Sequence, residues 1–329
     1  MLKLDKPSQA IRDEYFRKLI PSLIKRIKYG VPHDGTGVVL SNNAKAVLLP
    51  DWNEDQPQQT NRLKDLLTSE PATLERLEQD IKAEFSELPK TDRPLDSDLL
   101  TIMGYEVVFD SSSKSKAFWL AQAVGKNTCV YCNRQYVFTV IRGDGLVKED
   151  RIARPVFDHW FAKKTHPLLS LSLFNLIPSC HICNSSVKGS DEYALDTHIH
   201  PYVHEEGHPS FTFKVSASAK KKVMWEVKLD AAPGSKEERT IKDLCLDEQY
   251  TMHGRTEVND LMEFKQKYPS GYLKQLMTDV LVNAAKNHHS LSIEDVYRML
   301  FGTELMEEKF LDRPLSKMKK DILHELGVV

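Results

Sequence analysis

The chain has 329 residues, 41% of them hydrophobic and 9% aromatic, and a formal net charge of −2. This is enough apolar material for a core and for two or three structural units, and it excludes a uniformly basic, nucleic-acid-coating protein. No apolar run approaches the ~20 residues of a membrane span. With no recognisable signal peptide, this gives the expectation of a cytoplasmic protein with no membrane partner.

In chain order, residues 1–30 read as a helix. Ile11, Tyr15, Phe16, Leu19, Ile20, Leu23, Ile24 and Ile27 recur at helical spacing, with Pro21 expected to break or kink it. Arg17, Lys18, Lys25, Arg26 and Lys28 make the opposite face basic. The plainer reading is an amphipathic helix packed on the body; contact with DNA or an acidic partner is the other. Residues 31–60 are turn-rich and read as a loop with a short apolar patch at 44–49. Leu63, Leu66 and Leu67, then Leu74, Leu77, Ile81, Phe85 and Leu88 after Pro71, give helices without chemistry. Residues 105–109 read as a strand, and Lys116–Val124 as a helix leading into the first cysteine pair.

Four of the five cysteines form two Cys-x-x-Cys pairs, Cys129 with Cys132 and Cys180 with Cys183. Two such knuckles supply four thiolates, which suits tetrahedral zinc. The gap between them is too long for a simple zinc ribbon and demands an insert. Residues 136–141 and 155–157 read as the two strands of a hairpin turned at 143–145. Asp158 and His159 then stand at a strand end, Asn175 precedes the second knuckle, and Asn184 opens a helix that carries Lys188 one turn later. A carboxylate and an amide thus converge on one metal, with His159 beside it. Cys245 is left over and reads as a small buried residue. Residues 129–190 carry eight Lys or Arg and four acids, a local positive face suited to phosphate. Lys188, Lys163, Lys164 and Arg134 are the candidate nucleic-acid contacts; for Lys188 a neighbour of the metal shell and a plain solvated helix lysine are the other readings.

Beyond the motif, His198, His200, His204 and His208 cluster; loop histidines or a phosphate-contacting patch are favoured over a metal site. Residues 211–215 and 223–229 read as an antiparallel pair, with Lys220, Lys221 and Lys222 at its tip. The rest is mostly helical. Ser292 and Asp295 resemble a capped helix start, and a last helix carries Lys317, Lys319 and Lys320. No repeat, P-loop or dinucleotide fingerprint stands out, so any ATP-driven step is expected from another chain.

Cys129, Cys132, Asp158, His159, Asn175, Cys180, Cys183, Asn184 and Lys188 together resemble the HNH (ββα-metal) nuclease family, in its subgroup with paired Cys-x-x-Cys knuckles. The resemblance covers about sixty residues, 129–189. It implies an α+β fold with a zinc-stapled ββα-metal core and helical flanks, divided as 1–110, 111–230 and 231–329. It implies His159 as general base, Asp158 and Asn184 as ligands of a catalytic divalent ion, and Asn175 as the residue that fixes the loop and orients the base. Many members have His where Asn184 stands. An oxygen donor there makes Mg2+ or Mn2+ the expected ion. A weaker likeness, carried by residues 126–136, 174–189, 200–207 and 313–322, is to bacterial HNH proteins of anti-phage defence. It implies double-stranded DNA as substrate, a possible homo-oligomer and an ATPase partner encoded nearby. An RNA-cleaving (tRNA) toxin and a non-catalytic zinc-knuckle DNA-binding module are the alternatives.

Overall fold

A computed structural model describes residues 2–31, 37–51, 53, 60–89, 95–110, 116–143, 147–203, 211–217, 225–268, 270–275 and 291–328. Among them the architecture is α+β: helices surround three separate two-stranded antiparallel ladders. None of these helices is long and apolar enough to cross a membrane.

Helix α1 (Gln9–Tyr29) buries Tyr15, Phe16, Leu19, Ile20, Leu23 and Ile27, the stripe its periodicity predicts, and runs through Pro21 as one element. Its basic face is partly spent inside the protein. Arg26 donates to the carbonyls of Ile102 and Thr101 at 2.7 and 2.6 Å, and Lys18 pairs with Glu14 at 3.2 Å. Where a loop is expected, Asn42–Leu48 forms α2, with the Ser41 hydroxyl accepting from the Ala44 N–H at 3.1 Å. Two turns are too few to show a helical period in the sequence. Helices α3 (Asn61–Thr68) and α4 (Pro71–Ser86) follow as expected, the second with proline in its first turn.

Helix α5 (Leu95–Met103) ends at Gly104, whose φ is +54° and where a Cβ would lie 2.2 Å from the Arg26 guanidinium. The strand expected at 105–109 is instead a π-helical turn, Glu106–Asp110, burying Val108 and Phe109. Tyr, Val and Phe favour strands only where a half-buried ladder can hold them. Here α1 and α6 (Lys116–Val124) offer a helical groove.

The hairpin between the knuckles is also shorter than expected. Only β1 (Val140–Ile141) and β2 (Arg151–Ala153) pair, with an isolated Thr128–Tyr136 bridge upstream. Strand β3 (Val156–His159) does not return to residues 136–141. It pairs with β4 (Leu176–Ser179), setting Asp158 opposite Ile177 and His159 opposite Leu176. β4 runs into a π-helical segment, Ile182–Lys188, closed by the Gly189 N–H on the Asn184 carbonyl at 3.1 Å.

Strands β5 (Phe211–Ala217) and β6 (Trp225–Ala231) form the third ladder. Their tip lysines 220–222 lie outside the described residues, as do His204, His208 and most of the 143–145 turn. Among the described residues, helices α7 (Lys236–Asp243), α8 (Leu246–Tyr250), α9 (Glu257–Lys267), α10 (Ser270–Gln275), α11 (Ile293–Phe301) and α12 (Ser316–Glu325) follow. The Ser292–Asp295 capping box at α11 forms as its sequence predicts. Cys245, expected to be buried, is exposed between α7 and α8 at φ +47°.

One hydrophobic cluster runs from Leu2 to Val328, so the three stretches separated in the sequence share a core. Polar ties reinforce it. The Leu2 N–H donates to the Val130 carbonyl at 2.8 Å, and the Tyr15 hydroxyl to the Leu171 carbonyl at 2.7 Å. The Asn133 side chain, next to the first knuckle, donates to the carbonyls of Phe310 and Arg313 at 2.8 and 3.2 Å. Both flanks are thereby packed directly onto the segment that carries the two cysteine pairs.

Candidate active site

The two knuckles close on each other. Cys129, Cys132, Cys180 and Cys183 are all buried, and their sulfurs lie within 4.8 Å of one another. Four thiolates around zinc at ~2.3 Å stand roughly 3.8 Å apart, so the cluster fits a closed tetrahedral structural site. Backbone N–H groups of Arg134 and Cys183 reach Cys132 and Cys180 Sγ at 3.4 Å each. Burial pushes the Cys129 thiol up, so four ionised sulfurs require a compensating cation.

β3 leads from this base along a cleft of about 350 Å3. Asp158, His159, Asn184, Lys163, Lys164, Arg154, Glu106 and Asp110 all line it. Of these, sequence reasoning assigns roles to the first five and misses the last three. In the sequence Arg154 is visible only as one charge among eight. Glu106 and Asp110 come from the turn that reads as a strand.

His159 is half-buried, and its ring meets Tyr105 edge-on at 4.5 Å. Its Nε2 lies 2.9 Å from the Ser170 carbonyl. A carbonyl can only accept, so Nε2 carries the proton and Nδ1 keeps the lone pair. Burial, aided by the positive charges of Lys163 and Lys188, lowers the His159 pKa to about 4. The imidazole is therefore neutral and available as a base at neutral pH.

Asp158 is 2% exposed. The Tyr131 hydroxyl donates to its Oδ2 at 2.5 Å, and Lys188 Nζ lies 3.3 Å from the same atom. Burial raises the Asp158 pKa, and the Lys188 charge and the Tyr131 bond oppose it. Both contacts engage Oδ2, which leaves Oδ1 for a cation. Asn184, half-exposed on the π-helical segment, lines the same cleft and donates to the Ser185 hydroxyl at 3.2 Å through Nδ2, leaving its own oxygen for that ion. Carboxylate and amide oxygens are a hard donor set that fits Mg2+ or Mn2+.

Asn175 is fully buried and does not touch the cleft. Its Oδ1 accepts from the Phe161 N–H at 2.6 Å, and its Nδ2 donates to the Phe161 and Leu169 carbonyls at 3.1 and 2.9 Å. It stitches the 160–175 loop whose Ser170 carbonyl holds His159. That makes it a positioning residue.

The candidate nucleic-acid contacts divide. Lys163 and Lys164 line the cleft, Lys163 in contact with Glu106, and Arg154 contacts Asp110. Lys188 is neither a solvated lysine nor a phosphate contact: it is 1% exposed, its Nζ donates to the His159 carbonyl at 2.7 Å, and it stands beside Asp158, the other position open to it from sequence. Arg134 is half-buried and does not line the cleft. It lies behind the cysteine cluster, donating to His253 Nε2 at 3.0 Å and Gln249 Oε1 at 2.9 Å. His198 and His200 are buried rather than on a surface patch. His198 bonds Asp243 at 3.0 Å and stacks on Tyr193, while His200 packs on Trp160. In α12, Lys317, Lys319 and Lys320 are all bonded within the protein.

No family model, no curated protein and no solved structure matches the chain.

Proposed function

We propose that the chain is a metal-dependent HNH-type endonuclease that hydrolyses phosphodiester bonds of double-stranded DNA. The observation that carries this reading is the neutral His159 imidazole, with Nε2–H held by Ser170, in one cleft with Asp158 and Asn184. Phosphodiester hydrolysis needs an activated water, charge neutralisation at the phosphorus and help for the leaving oxygen. His159 Nδ1 takes the proton from the attacking water. Asp158 Oδ1 and the Asn184 oxygen hold Mg2+ or Mn2+, which when bound supplies Lewis acidity at the phosphate. Lys163, Lys164 and Arg154 receive the flanking phosphates, displacing Glu106 and Asp110 from Lys163 and Arg154. The zinc held by the four cysteines keeps β3 and the π-helical segment in register.

One such site cuts one strand, so a double-strand break requires two copies or two events. The likeness of four segments to anti-phage defence HNH proteins makes an effector nuclease in bacterial defence the biological reading, with an ATPase partner supplying control. A second substrate reading, RNA, is favoured by one observation. Tyr136 and Phe138 are half-exposed, and their rings stack at 4.5 Å and 19°, a surface suited to unpaired bases.

The test is nicking of supercoiled plasmid by the purified chain with Mg2+, Mn2+ or EDTA, beside His159→Ala. Metal-dependent nicking by the wild type alone supports the reading. Equal nicking by the variant overturns His159 as base. Cleavage confined to RNA moves the substrate to the second reading.

A further inference from the structure

Each zinc knuckle sends one side chain to the same carboxylate oxygen. Tyr131 lies between Cys129 and Cys132 in the first knuckle, and its hydroxyl donates to Asp158 Oδ2 at 2.5 Å. Lys188 ends the π-helical segment that begins at the second knuckle. Its Nζ lies 3.3 Å from that oxygen and donates to the His159 carbonyl at 2.7 Å. Tyr131, Asp158 and Lys188 are 1%, 2% and 1% exposed. Water therefore cannot replace either contact. A buried carboxylate with two donors on Oδ2 has only its other oxygen left for a ligand. That geometry exists only while the two knuckles keep their separation, which the four sulfurs set.

We propose that Tyr131 and Lys188 couple the four-cysteine centre to the cleft by presenting Asp158 as a one-oxygen ligand, so that zinc and the cleft cation stabilise each other. Both are positioning residues, and the inference rests on the metal-dependent reading of the cleft. Coupling of this kind is reciprocal. Zinc in the knuckles raises the affinity of the cleft for Mg2+, and Mg2+ in the cleft slows loss of zinc from the knuckles.

The experiment follows zinc transfer from the full chain to a chelator that does not bind Mg2+, with and without Mg2+. Mg2+ binding is measured separately by calorimetry. The wild type is expected to bind Mg2+ and to release zinc several-fold more slowly in its presence. Tyr131→Phe removes one charge-assisted hydrogen bond. It is expected to keep one zinc per chain and an unchanged far-ultraviolet spectrum, to bind Mg2+ about tenfold more weakly, and to lose the protection. Should Tyr131→Phe fail to retain zinc, Asp158→Asn tests the same link from its other end, with protection expected to vanish there too. A wild type that binds Mg2+ without protecting zinc, or a variant that protects it as well as the wild type, overturns the coupling and leaves the nuclease reading standing. A wild type that binds neither Mg2+ nor, in the same titration, Mn2+ overturns both.

Discussion

Residues 129–189 build two neighbouring polar centres, and they are made of opposite materials. The cysteine cluster is dry and closed, with four soft donors within 4.8 Å of one another and no face left for a substrate. The neighbouring cleft is open. Its donors are hard oxygens, its base is neutral, and two of its cations are occupied by the acids of the 106–110 turn. A closed site stabilises a fold, whereas one that leaves a coordination position free can do chemistry. The two differ in solvent access although both hang from the same knuckles.

Removing a sulfur should break this division of labour most severely. Cys180→Ser is expected to lose zinc and unfold the core, because a structural zinc contributes ~10–16 kcal/mol against a typical total stability of ~5–15. Metal stoichiometry and circular dichroism report it, and a folded, zinc-loaded variant would remove the structural role. His159→Ala addresses the other place. It should keep zinc and fold yet lower cleavage by about 10²–10⁴-fold, the contribution typical of a general base.

Asn175→Ala sharpens the comparison because it touches neither cation. It leaves the Phe161 N–H and the Phe161 and Leu169 carbonyls without their side-chain partner. A loss of about 3 kcal/mol in denaturant unfolding is expected, with zinc retained and cleavage reduced as the Ser170 carbonyl drifts from His159. Full cleavage in a destabilised variant would separate Asn175 from the base.

Acid sensitivity follows from the cleft. Folded His159 stays neutral down to about pH 4, while in the unfolded chain it takes up a proton near its ordinary value of 6.5. Its contribution to stability is full above about pH 6.5 and is lost as pH falls towards 4. The melting temperature of the wild type should therefore drop more between pH 7 and 5 than that of His159→Ala. Parallel curves would show that the imidazole is not held neutral. The smallest effect belongs to the rim. Lys164→Ala should weaken nucleic-acid binding a few-fold and reduce its log–log salt slope by about 0.9, readable by anisotropy at several salt concentrations.

Local pattern makes much of this molecule legible without its fold. The Cys-x-x-Cys pairs, the Asp158–His159 strand end, the α1 stripe and the Ser292 cap each depend on residues close in sequence, where spacing alone sets geometry. Residues 105–109 mislead for the opposite reason. Their β-forming side chains are overruled by the groove of α1 and α6, which local composition does not contain.

The candidate donor atoms are legible from residue order: four thiols, a carboxylate, an imidazole and two amides in one stretch of about sixty residues. Their protonation, their partners and their access come from the packing of the folded chain. Burial, with the Lys163 and Lys188 charges, keeps His159 neutral while the Ser170 carbonyl fixes its tautomer, and burial turns Lys188 into an internal prop for Asp158. The tertiary structure places Arg134 behind the zinc knuckles and brings Glu106 and Asp110 to the cleft from about fifty residues upstream. Spacing carries the identity of a donor, but desolvation and pairing depend on everything packed around it, and most of that comes from elsewhere in the chain.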